Sequence, residues 1–319
     1  MTMAKATRAA FGEALARLGE TMAEIVAIDA DLAGSTNTHL FAKKFPDRFL
    51  QLGIAEGNMV SVAAGLALAG KIPFAASFAC FITGRFEQIR VSVAYNHANV
   101  KIVGTHAGIG IGEDGYSQMG LEDLALMRSL PNMTVIQPGD AIEAEQATEA
   151  AARHRGPVYL RLTRQKLDDV HGGDYRFKLG ALDVLREGSD VAVLATGGVL
   201  AGALKAADLL RGDGISASVV NVHTLKPLDE AGIAQLGSRS GRIVTVEDHG
   251  LVGGLGSAVC EALAEVTDIR VRRIAVRTFG ESGTAEALYA KHGLDAPAIA
   301  RVTADFVREG RSAPTRASA

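Results

Sequence analysis

The sequence predicts an α/β protein of two domains, each a mostly parallel sheet flanked by helices, and three observations carry that reading. The chain has 319 residues, more than one hydrophobic core usually organises. It is 48% apolar and 5% aromatic, with 36 glycines, a composition ordinary for compact α/β proteins. Short apolar runs alternate with amphipathic stretches along it, the rhythm of strands joined by helical crossovers, and such crossovers favour parallel pairing.

Taken in order, apolar runs predict strands at 24–29, 73–77, 100–105, 134–137 and 158–162. Helical periodicity falls between and before them, at 9–18, 58–69, 85–95, 121–129 and 141–152. The polar stretch 168–178, which contains His171-Gly172-Gly173-Asp174, breaks the rhythm. A second series follows, with strands at 191–195, 217–222, 243–247 and 269–276 and helices at 200–210, 230–237, 254–265 and 285–292. The expected organisation is a first domain over 1–167, a linker over 168–184, a second domain over 185–308, and a flexible tail over 309–319, where Ser, Ala, Arg and Pro dominate.

Composition also excludes function classes. The net charge of −3 and the lack of any Lys/Arg block leave no basic footprint for nucleic acid. Cys80 and Cys260 lie far apart without Cys-x-x-Cys spacing, so neither a disulfide framework nor a structural zinc site is indicated. The first residues, Met-Thr-Met-Ala-Lys-Ala-Thr-Arg, lack a secretory apolar core, and no apolar run is long enough to span a bilayer. A cytoplasmic address without membrane contact is the expectation.

The stretch Gly104–Gly120 carries the densest chemistry. Its glycines permit sharp bends and close approach to a ligand, while His106, Glu113, Asp114, Ser117 and Gln118 supply donors and acceptors. A surface turn would also read this way, but so many distinct polar groups in one glycine-rich loop point at least equally to a site.

This loop, with Gly112-Glu113-Asp114-Gly115 followed closely by Gln118, resembles the transketolase signature. Other family segments stand in family order over nearly the whole chain: Ala6-Thr7-Arg8-Ala9, Asp29-Ala30-Asp31 with Ser35-Thr36, Ile54-Ala55-Glu56-Gly57-Asn58-Met59, Ser77-Phe78-Ala79-Cys80-Phe81, Leu162-Thr163-Arg164-Gln165, Leu225-Lys226-Pro227-Leu228-Asp229 and Val246-Glu247-Asp248-His249. They resemble the middle and C-terminal domains of transketolase, which implies a pyrimidine-binding domain of thiamine diphosphate enzymes followed by a transketolase C-terminal domain.

The resemblance assigns roles. Glu56 opens a helix-like run, where a carboxylate is also favourable for dipole reasons; in the family the matching glutamate hydrogen-bonds N1′ of the cofactor's aminopyrimidine and promotes the imino form that removes the C2 proton. Phe78 and Phe81 match the apolar wall against that ring, and Asp31 is placed with the cofactor-binding set. Arg8, Ser35, His106 and Arg164 match the grip on a sugar's terminal phosphate, a fit for two charge-assisted guanidinium forks. Singly they read as a solvated helix face, a helix cap, a core histidine and a strand-end charge; in family order they read as a site. Asp114 matches the reader of a sugar hydroxyl, and Gln118 a position that holds the donor's reacting end; Glu56, His106 and Gln118 form the expected catalytic group.

Some features depart or mislead. Tyr116 stands where proline usually follows Gly-Glu-Asp-Gly, Gly57 where larger residues follow the glutamate, and Gly84 where some relatives place a third ring. Gly212-Asp213-Gly214 imitates the start of the cofactor's metal motif but lacks the spaced Asn, and reads as a turn. Gly253-Gly254-Leu255-Gly256 resembles a phosphate cradle, although a structural role after Glu247-Asp248-His249 fits better.

A full transketolase is about twice as long, and its N-terminal domain supplies the metal motif. The resemblance therefore implies a C-terminal subunit of a split transketolase (EC 2.2.1.-), sharing thiamine diphosphate with an N-terminal subunit that holds most of the Mg²⁺ or Ca²⁺, in an α2β2 assembly acting on sugar phosphates of the pentose phosphate type. The alternatives are a β subunit of a 2-oxo acid dehydrogenase or deoxyxylulose-phosphate synthase type, or a non-catalytic assembly module.

Overall fold

Two sheets, one built mainly by each half of the chain, form the frame of this computed structural model, in which residues 4–311 are described. Among those residues the strands are β1 Lys5–Ala6, β2 Ile25–Asp29, β3 Phe49–Gln51, β4 Ile72–Phe78, β5 Lys101–Thr105, β6 Thr134–Ile136, β7 Val158–Arg161, β8 Lys166–Leu167, β9 Asp183–Arg186, β10 Val191–Thr196, β11 Ala217–Asn221, β12 Thr224–Lys226, β13 Arg242–Gly250 and β14 Arg270–Val276. The first sheet runs β12-β6-β7-β5-β4-β2-β3 and the second β14-β13-β10-β11-β9, while β1 and β8 form a small antiparallel pair. Both large sheets are parallel except at edge strands β12 and β9. Helices cover both faces, which is why β2 (IVAID) and β10 (VAVLAT) read as continuous apolar runs and are buried at every residue.

The apolar packing does not stop at the boundary between sheets. One core cluster joins Ile28, Met59, Ile82 and Ile102 with Leu194, Val220, Ile233 and Ile243. β12 also crosses over: it lies beyond the second domain's first strands, yet pairs with β6 of the first sheet. Three residues, Thr-Leu-Lys, are too few to announce a strand by periodicity.

Two helices differ from the sequence reading. The helix expected at 85–95 is a short α turn, Phe86–Gln88, continuing as the π-helical segment Ile89–Tyr95. Helix Ala296–Arg311 had not been anticipated, although Ile299, Thr303, Phe306 and Val307 are buried at helical spacing. Of the tail expected over 309–319, residues 309–311 continue this helix and 312–319 lie outside the described residues.

The polar stretch expected to link the domains is a docked strap. Asp140, N-cap of helix Ala141–Arg153, accepts hydrogen bonds from the backbone N–H of Val170 and His171 at 2.9 Å each and faces His171 Nδ1 at 2.7 Å. His171 Nε2 lies 2.9 Å from Asp183 on β9, so one imidazole bridges carboxylates of both halves. Beside it the buried Glu143 accepts from Tyr175 Oη, from the Gly139 N–H at 2.6 Å and from Asn221 Nδ2 at 2.9 Å. No helix among the described residues is long and apolar enough to cross a membrane.

The strap makes stability pH-dependent. Burial alone would lower the His171 pKa, but hydrogen bonds to Asp140 and Asp183 override it and raise it to about 10. A folded value above the ordinary 6.5 means the contribution is complete below pH 6.5 and is lost as pH rises through 10. In urea unfolding, His171→Gln is expected to be about 1.5–3 kcal/mol less stable than wild type at pH 6. That gap should close toward pH 10; a gap constant with pH would contradict the bridged imidazolium.

Candidate active site

Residues far apart in sequence converge where the parallel strands of the first sheet end at their carboxyl termini, the edge at which open α/β sheets place ligands. Asp31 and Ser35 follow β2, Phe78 ends β4 with Phe81 just beyond, His106 follows β5, and Arg164 follows β7. Arg8 joins them from helix Thr7–Thr21 because Thr7 and Thr163 are tied: the Thr163 N–H donates to Thr7 Oγ1 at 2.8 Å and the two hydroxyls are 3.0 Å apart.

Glu56 is the first residue of helix Glu56–Leu68 and is only 6% exposed. The helix N-terminus favours its carboxylate. Among the described residues its side chain accepts one hydrogen bond, a long one from Ser77 Oγ to Oε1 at 3.5 Å, so most of its acceptor capacity remains open. It borders a cleft of about 380 Å³ lined also by Ala30, Asp31, Leu32, Ile54, Phe81 and Arg85. Phe78 and Phe81 stack with centroids 5.5 Å apart and planes 10° apart, and His106 stacks on Phe78 at 3.7 Å. A buried acceptor beside a flat apolar wall suits a planar nitrogen heterocycle held by one ring edge. Asp31 is exposed at the rim with φ +66°, and its N–H donates to Gln51 Oε1 at 2.7 Å. Below it the buried Asp29 anchors the turn by accepting from Leu32 N–H at 2.6 Å and from the Thr36 and Thr38 hydroxyls at 2.7 and 2.9 Å. Among the described residues, no group of three or more His, Cys, Asp or Glu is placed to hold a metal ion.

A cationic group lies beside this cleft. Arg8 donates through Nη1 to the Ser35 carbonyl, while its buried Nε has no partner among the described residues. Arg164 donates to the Ile111 carbonyl at 2.7 Å and meets Glu113 at 3.3 Å. Burial, and then the Arg164 charge, pull the Arg8 pKa below its ordinary value. His106 sits between these effects with φ +58°, its Nδ1 hydrogen-bonded to Thr105 Oγ1 at 2.9 Å. Burial, with Arg8 and Arg164 adding repulsion, lowers its pKa to about 3. It is therefore a neutral imidazole in the physiological range, offering Nε2 and no charge. An unpartnered buried guanidinium N–H with a second guanidinium near it suits an anion with several oxygens. Ser35 enters through its carbonyl. Asp114 and Gln118 stand apart from this group, exposed and half-buried on the glycine-rich loop, and neither makes a side-chain hydrogen bond among the described residues.

What sequence reasoning missed is the apparatus behind the loop. Asp248 on β13 accepts from Ile109 N–H at 2.8 Å, Gly110 N–H at 3.2 Å and Tyr289 Oη at 2.9 Å. Gln165 in turn donates to Tyr289 Oη at 2.7 Å. A Cβ at Gly108 would fall 2.1 Å from Asp248 Oδ2, and φ there is +82°, so this position requires glycine. Beneath, the fully buried Arg161 pairs with Asp123 at 2.7 Å and donates to the Gly120 and Asp248 carbonyls at 2.9 and 3.0 Å; Tyr159 Oη donates to Asp123 at 2.6 Å. The tripeptide Glu247-Asp248-His249 was visible, but a carboxylate's grip on a loop nearly 140 residues upstream has no sequence signature. Glu247 settles the neighbouring Gly-rich run: it accepts from the Leu255 and Gly256 N–H groups at 2.6 and 2.8 Å, occupying the helix N-terminus where an anion would otherwise sit. Gly212–Gly214 ends a helix and turns with φ +73° at Gly214.

Comparison with known proteins gives a consistent result. The family model described as "Transketolase, pyrimidine binding domain" matches residues 3–169, and "Transketolase, C-terminal domain" matches residues 180–299. The chain is 44% identical over 279 residues to 6-deoxy-6-sulfo-D-fructose transketolase subunit SqwH of Clostridium sp. (strain MSTE9), covering 87% of each chain. It is 40% identical over 306 residues to the Homo sapiens transketolase, covering 95% of this chain but about half (49%) of that longer protein. A solved structure titled "Split gene transketolase, inactive beta4 tetramer" superposes with a TM-score of 0.89 at 46% identity, covering 95% of this chain and 98% of that one.

The neutral state of His106 is directly measurable. With a folded pKa near 3, below the ordinary 6.5, its contribution to stability is present above pH 6.5 and is lost as pH falls toward 3. NMR of the imidazole C–H signals, assigned with His106→Asn, is expected to show no titration of His106 between pH 8 and pH 5. A midpoint between 6 and 7 would contradict the buried, doubly repelled ring.

Proposed function

This chain belongs to the transketolase family, and from that premise we propose that it is the C-terminal subunit of a two-component transketolase, transferring a two-carbon ketol unit from an anionic ketose to an aldose when joined to an N-terminal subunit. The family is thiamine diphosphate-dependent. The observation that carries the reading is Glu56, a buried carboxylate with open acceptor capacity beside the stacked Phe78–Phe81 wall.

Thiamine diphosphate, when bound, supplies the carbon that carries the transferred unit. In our reading the Glu56 carboxylate holds the proton at N1′ of the aminopyrimidine, and Phe78 and Phe81 stack on that ring and exclude water. Asp31 borders the ring's cleft from the turn after β2. Arg8 and Arg164 engage the far, anionic end of the sugar by charge-assisted hydrogen bonds, with the Ser35 hydroxyl and the neutral His106 completing its oxygens. Asp114 and Gln118, whose side chains make no hydrogen bond among the described residues, are available to sugar hydroxyls and to the reacting end of the donor.

The diphosphate and its Mg²⁺ or Ca²⁺ are assigned to the N-terminal subunit, in an α2β2 assembly. Two observations support this: the chain spans about half of the human transketolase, and a 46% identical structure is titled a split gene transketolase, inactive beta4 tetramer. The proposed substrate is a ketose phosphate, in cytoplasmic carbohydrate metabolism of the pentose phosphate type. A sulfonated ketose is a second reading, favoured by the 44% identical SqwH and by a guanidinium pair that accepts either tetrahedral anion.

The test is reconstitution. The purified 319-residue chain is expected to show no ketol transfer with thiamine diphosphate and Mg²⁺, and activity should appear on adding the N-terminal subunit, saturating at one copy of each. Turnover of sugar phosphates by this chain alone would overturn the two-component assignment.

A further inference from the structure

The second domain carries a segment that the proposed reaction does not use and that lies along the substrate loop. Between β14 and helix Ala285–His292, four contacts pair it with that loop. Phe279 packs edge-on against Tyr116 with centroids 4.5 Å apart. A Cβ on Gly280 would fall 2.3 Å from Met119 Sδ. A Cβ on Gly115 would fall 2.6 Å from Ser282 Oγ, and one on Gly112 would fall 3.2 Å from the Gly283 carbonyl. Gly112 and Gly115 have φ of +85° and +78°, so the loop bends at the points where the segment touches it.

Tyr116 opens the 3₁₀ turn Tyr116–Gln118, between Asp114 and Gln118, and its hydroxyl donates to Glu122 at 3.0 Å. Phe279 is 74% exposed, so its ring contributes little to the second domain's core; the neighbour that explains its position is Tyr116. A proline at the position of Tyr116 would stiffen the backbone by itself, because its φ is fixed at the first residue of such a turn. Tyrosine has no such restraint and must be held from outside.

We propose that Phe279, with Ser282, is a positioning device: the second domain clasps Tyr116 and so sets the placement of Asp114 and Gln118 for the sugar. Only the kinetic part of this inference rests on the transketolase reading; the clasp itself is a statement about the loop.

Hydrogen–deuterium exchange on the full chain separates the two. Phe279→Ala is expected to accelerate amide exchange in residues 112–119 about 3- to 10-fold, the worth of one aromatic pair, while β5, β13 and the thermal midpoint stay as in wild type. Adding Tyr116→Pro to Phe279→Ala should bring exchange back toward wild type, since among the described residues the Tyr116 N–H makes no hydrogen bond that proline would remove. In the reconstituted complex, Phe279→Ala should raise KM for the ketose about 3- to 10-fold with kcat within twofold and the cofactor C2 exchange rate unchanged. Unchanged loop exchange in Phe279→Ala, no rescue by proline, or a loss of kcat with KM preserved would each overturn the clasp. Lack of activity in the wild-type complex would instead refute the functional reading, and the exchange data would still decide the clasp.

Discussion

The Asp248 carboxylate reaches from β13 of the second sheet to the N–H groups of Ile109 and Gly110, and the geometry of the candidate site depends on that reach. A glycine-rich loop has the backbone freedom to approach a ligand but, for the same reason, no intrinsic shape. Its shape is imposed by a buried acceptor that has no water to turn to: burial raises the Asp248 pKa, and Arg161, the two loop amides and Tyr289 stabilise its ionised form. Losing the carboxylate would orphan buried donors in both domains at about 1–3 kcal/mol each. The Arg161–Asp123 pair closes the system from below, because Arg161 also holds the carbonyls of Gly120 and of Asp248 itself. Burial opposes the charge on Asp123, yet Arg161 holds its carboxyl below the ordinary value.

This arrangement divides labour between the domains. The first sheet presents chemistry at its carboxyl edge: an acceptor at Glu56, an aromatic wall, and two guanidiniums whose charges both act on a neutral imidazole. The second domain presents little chemistry there but fixes the loop, through Asp248 and Tyr289 on one side and the Phe279–Gly283 segment on the other. The His171 strap adds a third tie, bridging Asp140 and Asp183. Two domains so tied act as one support, which suits the constant spacing that the proposed anion grip and cofactor contact require.

Much of this was legible in the sequence, and the illegible remainder has a common cause. Central strands such as β2 and β10 are local objects whose apolar runs announce burial on both faces. Glu56, Phe78, Phe81, Arg8 and Arg164 were legible as an ordered motif set, and their convergence follows from parallel strands ending at one edge. The partners of Asp248, the crossover of β12 and the docking of the strap depend on contacts between residues far apart in the chain. Helix Ala296–Arg311 is different: its buried spacing was readable, and the Pro- and Ser-bearing end of the chain obscured it.

The central claim is that Glu56 is the proton handle of a cofactor shared with a partner, so the most direct measurement is the rate at which C2 of bound thiamine diphosphate exchanges its proton for deuterium in the reconstituted complex. Glu56→Gln keeps the shape of the side chain and removes the carboxylate. The account predicts exchange slowed by about 10²–10⁴-fold with cofactor affinity much less affected. Exchange at the wild-type rate in Glu56→Gln would contradict it.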